Sequence, residues 1–299
     1  MEFKPSSTTS FRQWGKHSLK VVLTGAALYF VVQKISFEAI WEEIRQVSAL
    51  ALAAGVLLFT LSKIISTYRL HVFYKAIGLQ LPWLYQLQLY WVGMFYNLFL
   101  PGSIGGDGYK VYLLQQMGGA KTKALVTATL LDRISGMVLL VWFAAMFTAF
   151  SAFQYSIPFG RELAFAVFLL APLGYGLCIY WFMPSFKQTT LPALHGSFWV
   201  QLSQIFCAVC ILNGLGLELN YWEYLTLFMV SSAVSVIPIS IGGAGAREMV
   251  FYYGLALISL DQKTAIAFSL IFFGITVIVS LVGLVFVVRI DHQKFLKTT

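Results

Sequence analysis

Charge is what this sequence lacks most. Asp, Glu, Lys and Arg make up 11% of its 299 residues, against 59% hydrophobic ones, where a soluble domain carries roughly 25% charged residues. That deficit excludes a water-solvated globular core and implies a polytopic membrane protein. The polar stretches are too short to form a second, soluble domain. Cysteine is scarce too: Cys178, Cys207 and Cys210 all lie in apolar segments. Cys207 and Cys210 have C-x-x-C spacing, but no other soft ligand is nearby, so they read as small packing residues. The four histidines (His17, His71, His195, His292) sit unclustered at segment ends, and no zinc site is expected. No P-loop, H-E-x-x-H or nucleophile elbow occurs, so no catalytic residue, metal or cofactor is expected. No ATP-binding sequence is there either.

What charge there is has a bias. The formal net charge is +8 and the pI about 9.3. In a membrane protein, excess Lys and Arg reflects the positive-inside bias, not a nucleic-acid partner. Lys4, Arg12, Lys16 and Lys20 precede "VVLTGAALYFVV" with no small-residue cleavage site after it, so residues 1–18 read as a tail before an uncleaved first helix.

Apolar runs at about 19–35, 48–68, 83–100, 123–150, 161–183, 198–217, 221–238 and 264–288 are the membrane candidates. Between the first two, Phe37, Ile40, Trp41, Ile44 and Val47 recur at helical spacing, so 37–47 reads as an interfacial amphipathic helix. Two runs end on a shared phrase. "LPGSIGGDGYK" (100–110) and "IPISIGGAGAR" (237–247) have Pro, Ser, Ile and three Gly in common at an offset of 137. The pieces after them, 109–117 and 246–258, would reach only about 13 and about 20 Å as helices. We therefore expect two re-entrant helical hairpins, 83–117 and 221–258, since broken backbone at membrane depth must be buried in protein or line a wet cavity.

With the N-terminus cytoplasmic and both hairpins returning to their own side, thirteen Lys and Arg fall inside: Lys4, Arg12, Lys16, Lys20, Lys63, Arg69, Lys75, Lys121, Lys123, Lys187, Arg289, Lys294 and Lys297. Four fall outside (Lys34, Arg45, Arg161, Lys263), with Glu38, Glu42, Glu43, Glu218 and Glu223. Both termini, including the 291–299 tail, are then cytoplasmic, and the hairpins enter from opposite sides. The expected fold is all-α: about six full transmembrane helices plus two re-entrant hairpins in an inverted repeat, the plan of many secondary transporters. The competing account is that the glycines merely allow helices to pack closely.

Six charges remain in the apolar zone and sum to zero: Asp107, Lys110, Asp132, Arg133, Arg247 and Glu248. Each costs about 2.5–3.5 kcal/mol on insertion scales, so each needs a partner or a cavity. Asp132 and Arg133 are adjacent on a helix, about 100° apart, and should reach different partners. One reading is a salt-bridge network that ties hairpins to bundle. Another is a site for an anionic headgroup, with helix N-termini and cations receiving phosphate while the acids serve as resting counter-ions.

"NLFLPGSIGGDGYKVYLL", "LLDRISG" and "IPISIGGAGARE" together resemble the flippase-like domain family: the transmembrane region of lysylphosphatidylglycerol synthases and its stand-alone relatives. Asn97, Pro101, Gly105, Gly106, Asp107, Asp132, Arg133, Pro238, Gly242, Gly243, Gly245, Arg247 and Glu248 match that family's phrases. Lys110 departs, standing where an arginine is usual, which keeps charge but loses a two-pronged grip. The resemblance implies movement of a phospholipid or lipid-linked sugar between leaflets of the cell inner membrane. The implied substrate-binding set is Asn97, Gly105, Gly106, Asp107, Lys110, Asp132, Arg133, Gly242, Gly243, Gly245, Arg247 and Glu248. Membrane lipids with phosphate-bearing headgroups are the expected partners, with envelope-biosynthesis enzymes as candidates beside them. The aminoacyl-transfer domain of the synthases is not within these 299 residues, so synthesis of lysyl-lipid by the route those proteins use is not expected. Two other classes compete: a membrane transferase acting on lipid-phosphate-linked sugars, and a non-transporting partner in envelope assembly. A metal-using transferase would want clustered carboxylates, and Asp107 has no second acid beside it.

Overall fold

A computed structural model describes residues 41–42, 45, 47–99, 104–118, 120–236, 246–258 and 262–289. The expected first span (19–35), most of the 37–47 helix, the tails 1–18 and 291–299, and Gly242, Gly243 and Gly245 lie outside the described residues. Within them every regular element is helical.

Helix α1 (Ala49–Ala76) starts at Ser48, whose hydroxyl accepts the Ala51 amide proton at 3.2 Å. It ends at Gly78, where φ of +79° lets the chain turn back. There Gly78 N–H bonds the Lys75 carbonyl and Leu79 N–H the Tyr74 carbonyl, satisfying the last turn. Helix α2 (Trp83–Phe99) follows Pro82, and α3 (Gly105–Gln116) follows the first glycine phrase. Then come α4 (Thr122–Phe150), a single turn α5 (Phe153–Ser156), α6 (Gly160–Phe182), a 3₁₀ turn (Pro184–Thr189) and α7 (Thr190–Gly214). Helices α8 (Tyr221–Val236), α9 (Ala246–Ile258) and α10 (Gln262–Arg289) complete the order.

Among the described residues five stretches are long and apolar enough to cross a membrane: α1, α4, α6, the run Pro184–Gly214 and Ala267–Val287 within α10. They correspond to five of the six full spans expected from sequence. Helices α2 and α8, at 17 and 16 residues, are the two expected to enter hairpins. On α6, Leu169, Leu170, Leu173 and Leu177 are exposed, and Tyr180, Trp181 and Phe182 follow at its end. This is the surface of a multi-pass membrane helix turned to lipid, with amphipathic rings at its boundary.

Several boundaries differ from the sequence expectation, α7 beginning at Thr190 where the apolar run begins at 198. Helix α1 runs eight residues past the apolar stretch 48–68, because Arg69 inside it finds a buried partner. Helix α3 begins at Gly105, before the expected 109. Asn97 Oδ1 accepts the Gly106 amide proton at 2.8 Å, and Gly106 is pressed so closely on the Gly93 carbonyl that any Cβ would collide with it. The glycine is thus used for close helix contact between α2 and α3.

The core forms two clusters. One contains Phe59, Phe143, Phe228, Phe268 and Phe272; the other contains Leu70, Phe73, Tyr74, Tyr85 and Leu125. Phe59 and Leu70 are both on α1, with Lys63, Ser66 and Arg69 between them. On α4, Leu131 belongs to one cluster and Leu139 to the other, with Asp132, Arg133 and Gly136 between. The polar residues therefore occupy the seam between two apolar masses.

Candidate functional site: a charged cavity in the bundle

A cavity of about 290 Å³ opens at this seam. Helices α1, α2, α3, α4, α7, α8, α9 and α10 all contribute to its wall. Six of the sequence-derived residues line it: Asn97, Asp107, Lys110, Asp132, Arg133 and Arg247. Gly105 and Gly106 stand behind it, shaping the start of α3. The Glu248 side chain lies outside the described residues.

Asp107 sits in the first turn of α3 and is buried. The partial positive charge of a helix N-terminus favours a carboxylate there. Two cations converge on it. Lys110 Nζ lies 2.6 Å from Oδ1, one turn along the same helix, and Arg133 Nε donates to Oδ2. The Lys110 stem lies flat on Gly93, where a Cβ would meet Cδ at 2.9 Å. One acid shared by two bases leaves this cluster with one positive charge.

Asp132 looks the other way, as adjacent helical positions require. Arg69 Nε donates to its Oδ1 at 2.7 Å and Nη2 to Oδ2 at 3.2 Å, while Nη1 donates to Ser197 Oγ at 3.0 Å. Two glycines make room for Arg69. A Cβ on Gly136 would lie 2.8 Å from Nη1, and one on Gly196 would lie 3.3 Å from the Arg69 Cβ. A bidentate pair with this much geometric definition holds α1, α4 and α7 together.

The third group faces a ring pair. Phe59 and Phe272 meet edge to face at 5.5 Å. Lys63 Nζ lies 4.2 Å from the Phe59 centroid, and Arg247 Cζ lies 5.0 Å from that of Phe272. Cation–π contact of this kind stabilises a desolvated cation but does not by itself cancel its charge. Among the described residues no carboxylate pairs with Lys63.

Sequence reasoning missed Lys63 and Arg69. It counted both among the cytoplasmic-side cations, Lys63 near the end of the 48–68 run and Arg69 just past it, but they lie inside α1 and line the cavity. The signal was there: from Val56 to Ile77 the sequence has no Gly, Pro, Asn or Asp to end a helix. Removing the two from the thirteen inside cations leaves eleven against four, so the asymmetry keeps its sign. The zero charge sum does not survive. Five cations (Lys63, Arg69, Lys110, Arg133, Arg247) and two anions (Asp107, Asp132) line the cavity, a surplus of three. Counting Glu248 as well would leave two.

The wall also carries buried polar atoms without a hydrogen bond. Gln201 Nε2 donates to the Gly136 carbonyl at 3.3 Å, but among the described residues its Oε1 has no partner, and neither has Ser232 Oγ. Both residues are more than nine-tenths buried. A desolvated polar atom without a hydrogen bond costs about 1–3 kcal/mol, so a hydrogen-bonding group placed at either atom would be stabilising.

The sequence matches the family described as lysylphosphatidylglycerol synthase TM region over residues 18–195 and 188–283. A comparison with curated proteins gives no match.

Proposed function

Because the chain belongs to the family of lysylphosphatidylglycerol synthase transmembrane regions, we propose that it translocates a phosphate-bearing lipid between membrane leaflets, with the headgroup held in the charged cavity and the acyl chains left in the bilayer. The observation that carries this reading is a positively charged, partly unsatisfied cavity inside an apolar helical bundle. Buried charge surplus is costly in low dielectric and is relieved by a guest of opposite sign. A neutral glycolipid offers no such relief.

The proposed route is an inverted repeat. Two triples support it: helices of 17, 12 and 29 residues (α2, α3, α4) and of 16, 13 and 28 residues (α8, α9, α10). Each triple follows the same order, with the Gly-rich phrase in the sequence after its first helix. The long helix of each packs on the first helix of the other, α4 on α8 and α10 on α2. In this arrangement α2–α3 and α8–α9 are hairpins re-entering from opposite faces, and their rocking alternates access to the cavity. Single cysteines at Tyr155 and Lys187 should label from outside and inside respectively. Those at Lys121 and Leu257 should label from opposite sides; labelling of both from one side would eliminate the inverted repeat.

Translocation itself is tested in vesicles. Purified protein reconstituted with fluorescent lipids should move a phospholipid across leaflets faster than a neutral glycolipid. Equal rates for the two, or no movement with or without a proton gradient, would exclude this function.

A further inference from the structure

The cavity wall specifies the charge of its guest more narrowly than "phosphate-bearing". Both described acids are committed: Asp107 to Lys110 and Arg133, Asp132 to Arg69. An ammonium headgroup would find no uncommitted carboxylate among the described lining residues. The surplus, three among those residues and still two if Glu248 is counted, would be at most half cancelled by one phosphodiester. Its cations are also spread over two walls. Arg133 stands beside Asp107 on one wall, and Lys63 stands over Phe59 on another. Lys63 occupies the middle of the 28-residue helix α1, where water cannot readily compensate its ammonium.

We infer that the guest headgroup is dianionic, a diphosphate or a phosphate monoester, and that Lys63 receives the second negative charge. This rests on the proposed lipid-translocation reading and names its substrate class. One phosphate oxygen set meets the Arg133 side of the cavity, and the remaining charge meets Lys63. Ser232 Oγ, buried and without a partner among the described residues, donates to a phosphate oxygen. Gln201 Oε1, likewise without one among them, accepts from a hydroxyl or from the protonated form of the anion. A lysine suits the second position because its compact ammonium can follow a phosphate through several orientations, where a guanidinium fork fixes one.

The test is lipid binding to the full chain in detergent micelles, followed by native mass spectrometry. The probes are a polyprenyl diphosphate, phosphatidylglycerol, phosphatidylethanolamine and inorganic diphosphate. The polyprenyl diphosphate should bind at least about tenfold more tightly than phosphatidylglycerol, as expected for one additional charge-assisted contact. Lys63→Met should collapse that ratio towards one, Lys63→Arg should preserve most of it, and Lys187→Met, outside the cavity, should leave it unchanged. Thermal melting of each variant reports its fold, so a lost ratio in a folded Lys63→Met protein supports the assignment. Equal binding of dianionic and monoanionic lipids, with transport of the monoanionic one intact, overturns this inference and leaves translocation standing. Inorganic diphosphate binding as tightly as the lipid would keep the charge assignment but overturn the lipid reading. Absence of binding by every phosphate-bearing probe overturns both.

Discussion

Asp132→Leu should destabilise the protein by about 3–5 kcal/mol, enough to abolish folding in most membrane preparations. The single change leaves the Arg69 guanidinium, 6% exposed and enclosed by Gly136, Gly196 and Ser197, with no carboxylate. Arg69→Met should do the same from the other side by stranding Asp132. The double variant Arg69→Met/Asp132→Leu should recover to within about 1–2 kcal/mol of the parent, because removing both charges also removes the need to desolvate them. Thermal melting in detergent, followed by tryptophan fluorescence, measures all three. Single variants that melt like the parent would show that the pair is not a tie between α1, α4 and α7. The double variant separates scaffold from site: if Asp132 serves only to hold Arg69, the refolded double variant should still bind lipid.

Much of the site can be read from the amino-acid sequence alone. Asp107, Lys110, Asp132 and Arg133 stand out as charges that an apolar segment would not carry without a partner. Adjacent positions on one helix also require Asp132 and Arg133 to diverge, which they do towards Arg69 and Asp107. The ends of α2 and α8 and the starts of α3 and α9 flank the two Pro- and Gly-rich phrases, and Ala246–Ile258 is bounded as the sequence suggests. The pairing of the cations on α1 is not legible. The run from Val56 to Ile77 without Gly, Pro, Asn or Asp lets the helix continue, but which acid meets Arg69 is a matter of tertiary pairing, which no local window contains. Arg69 is tolerable inside a helix only because Asp132, 63 residues later, meets it. The role of Gly106 is equally hidden. A glycine in such a phrase suits a phosphate cradle or a close helix contact, and only the position of the Gly93 carbonyl decides between them.

Arg133→Ala and Arg247→Ala should each slow translocation by about 10- to 100-fold, the loss expected when a charge-assisted hydrogen bond to phosphate is removed. The two variants should differ in stability from the Arg69 series. When Arg133 is truncated, Asp107 keeps Lys110 at 2.6 Å, so no buried acid is stranded and the cluster passes from one positive charge to none. Such a protein should fold and melt close to the parent while binding phosphate-bearing lipid poorly. Arg247, placed over Phe272 at the start of α9, is carried by the second proposed hairpin, whereas Arg133 belongs to the long helix that follows the first. A headgroup gripped by both links the two halves of the proposed repeat, so loss of either arginine should uncouple binding from movement. Arg133→Lys and Arg247→Lys keep the charge and remove the planar fork. Partial rates, between the alanine variants and the parent, are expected for both lysine variants in the vesicle assay. Full parental rates would restrict these arginines to supplying charge, and a folded Arg133→Ala protein that moves lipid normally would remove Arg133 from the binding site altogether.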